Sequence, residues 1–116
     1  MTALYQQLPG TLDIVASHVD ALTITGSLGF NTSGDTLTAV VYEDTAAGYA
    51  AAIAASPAPA ATWTITRVDD SVGAISLHLA SSTIKALSLT KSYRWFIRSA
   101  NLDRAAVSGT FTVRAP

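Results

Sequence analysis

Val72-Gly73-Ala74-Ile75-Ser76-Leu77-His78-Leu79, then Ala80-Ser81-Ser82-Thr83-Ile84-Lys85-Ala86-Leu87, then Lys91-Ser92-Tyr93-Arg94-Trp95-Phe96-Ile97-Arg98 is the stretch that decides the fold. Ile75, Leu77 and Leu79 alternate with Ser76 and His78, the period of a half-buried strand. Ser81 or Ser82 is placed to cap one short helical turn over 81–87. Ile84 and Leu87, three apart, point inward from that turn. The chain then returns as a second strand. Tyr93, Trp95 and Ile97 take one face, and Arg94, Phe96 and Arg98 the other. Three aromatics in four residues mark this return strand as the centre of the core. Two strands and one helical turn cannot close a core alone, so the rest of the chain must add strands.

It does so on both sides of this stretch. Thr11–Ala16, Ala21–Phe30 and Thr36–Glu43 alternate as strands, as do Thr62–Val68 and Ala106–Arg114. Gly26 interrupts one apolar face and marks a bulge or a close backbone approach. Asn31-Thr32-Ser33-Gly34-Asp35 and Asp69-Asp70-Ser71-Val72-Gly73 are turns. Leu37, Ala39 and Val41 lie on one side of their strand, with Val40 and Tyr42 on the other. Apolar residues on both faces indicate a strand covered on both sides, with another subunit as one candidate cover. Asp44–Ala61 is Ala-rich and fits two readings. One is a short helix over 46–55, capped by Asp44 or Thr45, with Tyr49 and Ile53 on one face. The other is a strand followed by a loop.

About seven short strands at regular spacing, with one helical turn, predict an all-β fold: an antiparallel two-layer β-sandwich of immunoglobulin-like kind. A small barrel is the structural alternative. The Cys…Trp…Cys pattern of true immunoglobulin domains is missing, since the chain has no cysteine. At 116 residues the chain makes one domain, read as an N-terminal arm over 1–10 and a sandwich over 11–116.

Composition excludes several functions. Net charge is −1, so there is no basic field for nucleic acid. No apolar run reaches the ~18 residues of a membrane span. The first ten residues lack the basic and apolar regions of a signal peptide. Only 13% of residues are charged, against about 25% in ordinary domains. That deficit fits either a neutral β-domain or a protein whose surface is covered by neighbours in an assembly.

No combination of residues reads as a reaction centre, so no enzymatic activity, cofactor or metal is expected. His18 and His78 are sixty residues apart, and His18-Val19-Asp20 alone is a weak metal motif. Asp69-Asp70-Ser71 is too short for a calcium loop and reads as turn-shaping. Ser82-Thr83-Ile84-Lys85 has the Ser-x-x-Lys spacing of penicillin-recognising enzymes but none of their companion motifs. Asn31-Thr32-Ser33 matches a glycosylation triplet without any other sign of secretion. The outward face Arg94-Phe96-Arg98 is more informative, because Arg and Phe are enriched at interfaces. It is either an interface or is covered by a loop of the chain itself. Leu4, Tyr5 and Leu8 of the arm, Tyr49 and Ile53 of the excursion, and Arg94, Phe96 and Arg98 form the candidate interface set.

Four segments carry a resemblance. They are Leu8-Pro9-Gly10-Thr11-Leu12-Asp13, Val68-Asp69-Asp70-Ser71-Val72-Gly73-Ala74-Ile75-Ser76-Leu77, and the Tyr93-Arg94-Trp95 strand followed by Ser108-Gly109-Thr110-Phe111-Thr112-Val113. In order and pattern they resemble a family of small immunoglobulin-like phage and prophage structural proteins. The chain also looks like the N-terminal domain of baseplate upper proteins. It departs from the family at Phe96, where an acidic or polar residue is usual. It departs again at Gly34-Asp35-Thr36-Leu37, a reduced form of Asp-Leu-Thr-Gly, and in the excursion 46–61. The resemblance implies a virion structural role without catalytic residues. The leading expectation is a capsid decoration, or cement, protein on the outer head surface. It would be a homotrimer contacting the major capsid protein or other virion proteins. A tail, baseplate or fibre adaptor and a carbohydrate- or host-surface-binding module are the alternatives.

Overall fold

The computed structural model describes Leu8 and residues 10–45, 48–54 and 59–115. Among these residues eight strands and two short helices follow one another: β1 Ile14–Ser17, β2 Leu22–Ser27, β3 Leu37–Glu43, α1 Gly48–Ala54, β4 Ala61–Thr62, β5 Thr64–Asp69, β6 Ala74–Leu79, α2 Ser81–Lys85, β7 Tyr93–Ser99 and β8 Arg104–Arg114. One sheet has the order β1-β8-β7-β3-β4 and the other β2-β6-β5. Their inner faces meet in one core. Ile75, Leu77 and Leu79 of the small sheet lie against a cluster that includes Ala39, Val41, Trp95, Ile97, Val107 and Phe111 of the large one. The order β8-β7-β3-β4 is the G-F-C-C′ sheet of immunoglobulin domains, and β2-β6-β5 is B-E-D. The fold is an immunoglobulin-like β-sandwich, as the strand pattern predicts.

The return strand behaves as its alternation requires. Tyr93, Trp95 and Ile97 are buried in the inter-sheet core. Tyr93 opens β7, and its hydroxyl accepts the Ser88 N–H at 2.9 Å, the tyrosine corner of this fold. Two residues on, where immunoglobulin domains place their second cysteine, stands Trp95. Its ring is 5.7 Å from that of Trp63, and Trp63 is 5.9 Å from Phe111. The two indoles pack at a tilt of 55°, so an aromatic contact occupies the F-strand side of the disulfide position. The Trp95 Nε1–H donates to the Leu12 carbonyl at 2.7 Å. Gly109 on β8 makes room for that carbonyl, since a Cβ there would overlap it.

Several details differ from the sequence reading. β1 pairs in parallel with β8, so the large sheet is not wholly antiparallel. The predicted strand 62–68 is two strands in two sheets. β4 pairs with β3 and β5 with β6, and the chain crosses between the layers at Trp63. Gly26 pairs regularly with Ile75; the register shifts instead between Arg67 and Asp69, and between Ile97 and Arg98. Helix α2 ends at Lys85, shorter than the predicted turn over 81–87, yet Ile84 within it and Leu87 just past its C-cap are both buried in the core as expected. Its N-cap, however, is Ala80, with no side-chain cap; the Ala80 carbonyl accepts from Thr83 N and Ile84 N. Of the excursion, residues 48–54 are helical, so the helix reading holds over that span.

The arm joins the sandwich earlier than residue 11. Leu8 N donates to Ser27 O at 2.7 Å, and Ser108 N donates to the Gly10 carbonyl at 3.0 Å. The chain therefore touches the small sheet at Leu8 and passes to the large sheet by Gly10.

Candidate interaction surface

The outer face of the large sheet is built in rows. Tyr42 lies beside Arg94, and Arg94 beside Thr110. Val40 lies beside Phe96, and Phe96 beside Ser108. Thr38 lies beside Arg98, and Arg98 beside Ala105. Helix α1 rests on the middle of this face. Val40, Tyr42, Ala52 and Phe96 form a second small core, with Ala105 packed against it. The Tyr49 ring is 5.4 Å from Phe96 and 6.2 Å from Tyr42, both edge-on, the favoured aromatic geometry.

This arrangement corrects two expectations. Phe96 is not an exposed interface residue. It is fully buried, because the chain's own helix covers it. The second cover on β3 is likewise α1, not another subunit. An Ala-rich helix suits that position: the Ala52 side chain is only a methyl group, which lets the helix lie close to the aromatics.

The other candidates divide. Tyr49 and Ile53, four apart on α1, are 41% and 43% exposed. Arg94 and Arg98 are half-buried on either side of Phe96. These four share one face. Leu8 does not join them: it is half-buried against the core, beside the end of β2. Leu4 and Tyr5 lie outside the described residues.

Electrostatics pin the two arginines differently. The Arg98 guanidinium donates to Asp103 Oδ1 at 2.6 Å, and this bond raises its already high pKa, opposed by desolvation and aided by Tyr49. Arg94 lies near Asp13, whose carboxylate is held below its ordinary range chiefly by the Thr110 N–H at 2.9 Å, with Arg94 a minor contributor. Burial pushes the Tyr42 phenol up, against an opposing hydrogen bond with Arg94. Asp103 and Tyr42 were not among the expected residues. Tyr42 was legible as an outward apolar position, whereas Asp103 lies in a turn that carries no signal.

The polar motifs have structural partners. His18 Nε2 is 3.1 Å from the Leu87 carbonyl, and His78 Nδ1 is 2.9 Å from Thr23 Oγ1. Asp69 accepts from Ser71 N and Oγ, and Asp70 accepts from Thr32 Oγ1 at 3.0 Å. Asn31 accepts from Ser33 N, a side-chain turn. No group of three or more His, Cys, Asp or Glu among the described residues is placed to hold a metal.

No family model matches the chain, and no curated protein sequence matches it. Solved structures with a similar outline include the ZIG-8 IG1 homodimer. That match has 10% identity and a TM-score of 0.43, and covers 100% of this chain and 85% of the other. Another is a structure from photo-crosslinking analyses of multimeric cell-adhesive interactions of VGSC beta subunits. Identity there is 14% and the TM-score 0.46, with 98% of this chain and 100% of the other covered.

Proposed function

We propose that this chain is an assembly module of a bacteriophage virion, a decoration protein that binds and stabilises the assembled head. The observation that carries the reading is the helix-covered sheet face. α1 seals Phe96 and Val40, then turns Tyr49 and Ile53 outward beside Arg94 and Arg98. An apolar pair flanked by guanidiniums is the composition of a contact patch. It stands on a chain with few charges elsewhere, which suits a surface shared with neighbours. The virion setting itself rests on the resemblance of the Leu8–Asp13, Val68–Leu77 and Tyr93–Trp95 segments. Its mechanism is mass action: a protein that binds only the assembled shell stabilises it by the free energy of that binding.

The test uses heads purified without the protein. Added chain is expected to co-sediment with them and raise their thermal stability. Tyr49→Ser with Ile53→Ser should lose most of the bound copies while the free domain still melts cooperatively, at a somewhat lower temperature. Undiminished binding by that double variant would remove the helix face from the proposal. Attachment in rings at the tail, with none on the head, would replace decoration by the adaptor role.

A further inference from the structure

The two sheets leave four strand edges, and three of them are guarded. β4 has two residues and β1 four. β5 carries Arg67 and Asp69 with a register break between them. Short strands, charges and bulges are the usual means by which proteins prevent edge pairing. β2 has none of these. Leu22-Thr23-Ile24-Thr25-Gly26-Ser27 contains no charge and no proline, and pairs with β6 in unbroken register.

The backbone direction of this edge can be read from its neighbours. Leu28 N donates to Gly73 O, toward the β6 side, whereas Ser27 O accepts from Leu8 N on the other side. Main-chain groups alternate along an antiparallel strand, so Thr25 and Thr23 share the outward direction of Ser27. Among the described residues only Leu8 bonds to this edge, at Ser27. Beyond it the chain departs for the large sheet, where Thr11 bridges to Ser108. The N–H and C=O of Thr23 and Thr25 face outward and have no partner among the described residues.

We propose that a second copy of this chain occupies the edge, by two-fold antiparallel pairing of β2 with β2. The available groups set the register. Thr23 of one copy faces Thr25 of the other, four hydrogen bonds form, and the two-fold axis passes between the two Ile24 residues. The pairing is self-complementary, as an isologous contact must be. Neither strand brings a charge, so no like charges meet. Threonine faces threonine on the outer side, a favourable cross-strand pair. On the inner side Leu22 and Ile24, half-buried in one copy, gain cover from their mates. The product is a continuous six-stranded sheet, β5-β6-β2-β2-β6-β5. This inference is independent of the virion reading, because it concerns the free chain.

Size-exclusion chromatography with light scattering on the full chain decides it. A mass of twice the chain at high micromolar concentration is expected, with slow hydrogen exchange at the Thr23 and Thr25 amides. Thr25→Pro removes an outward N–H that no described partner uses, and the mass should halve. Thr23→Lys with Thr25→Lys, which sets lysines opposite lysines, should do the same in a domain that still melts cooperatively. Thr66→Lys on β5 should leave the double mass unchanged. A single-chain mass for the unaltered protein would overturn the proposal. So would the trimer implied by the family resemblance, which needs a head-to-tail contact, or a dimer that survives both β2 variants.

Discussion

Asp35 holds its carboxylate in a buried position just ahead of β3. Ser99 Oγ donates to one oxygen and Asn101 N to the other, at 3.0 Å, while Arg67 donates to the Asp35 main-chain carbonyl. Burial alone would push this acid up. The bonds from Ser99, Asn101 and Thr36, with the charge of Arg67, bring it below the ordinary carboxylate range instead. A depressed folded value means that stabilisation is complete above the unfolded pKa, near 3.9, and is lost as pH falls through the folded value. Asp35→Asn is therefore expected to be less stable than the parent at neutral pH. The gap should close at acid pH, as the parent's own carboxylate protonates. Urea unfolding across pH 2–7 measures it; a gap that stays constant through the acid range would show that the charge contributes nothing. The network was only half legible in sequence. Gly34-Asp35 reads as a turn, and Gly34 adopts the positive φ of 73° that such a turn uses. Nothing in Ser99 or Asn101 announces that they converge on it, because convergence is a property of the loops' packing.

At the scale of elements, helix α1 is the part that alternation along β3 and β7 did not reveal. The strands announced two-sided cover by carrying Val40, Tyr42 and Phe96 outward, but not which part of the chain supplies it. Poly-alanine stretches have helix propensity without a pattern of large apolar residues to aim a face. The split at Trp63 was hidden for a related reason. Thr and large apolar residues alternate through Thr62–Ile65 without a break, so one strand and two strands crossing between layers look alike. The helix cover yields a graded prediction. Phe96→Ala removes the centre of the second core and should cost about 3–5 kcal/mol, the usual loss for a buried phenylalanine. Tyr49→Ala removes only an edge-on, half-exposed partner and should cost about 0.5–1.5 kcal/mol. Denaturant midpoints at unchanged slope measure both. Equal losses would mean that α1 does not shield Phe96.

For the molecule as a whole, stability resides in the apolar core and the ladders rather than in charge. Its ion pairs among the described residues are Lys91–Glu43 at 2.6 Å, Arg98–Asp103 at 2.6 Å and Arg67–Asp70 at 3.8 Å. Each has at least one partner more than a third exposed, and such pairs contribute at most about 1 kcal/mol. Raising sodium chloride from low to molar concentration should therefore change the unfolding free energy by under about 1 kcal/mol. A large fall would show that screening had removed something essential. The sandwich class was legible because half-burial imposes period two on every strand. The parallel β1–β8 pair was not, since a strand's own residues do not record which neighbour it takes. That pair has a mechanical meaning. β1 is entered from Leu12 and β8 is left at Arg114, and the strands run the same way. Tension between the chain ahead of Leu8 and the chain beyond Arg114 pulls them lengthwise in opposite directions. The ladder from Ile14 to Ser17 is then loaded in shear, all its bonds together, rather than peeled one bond at a time.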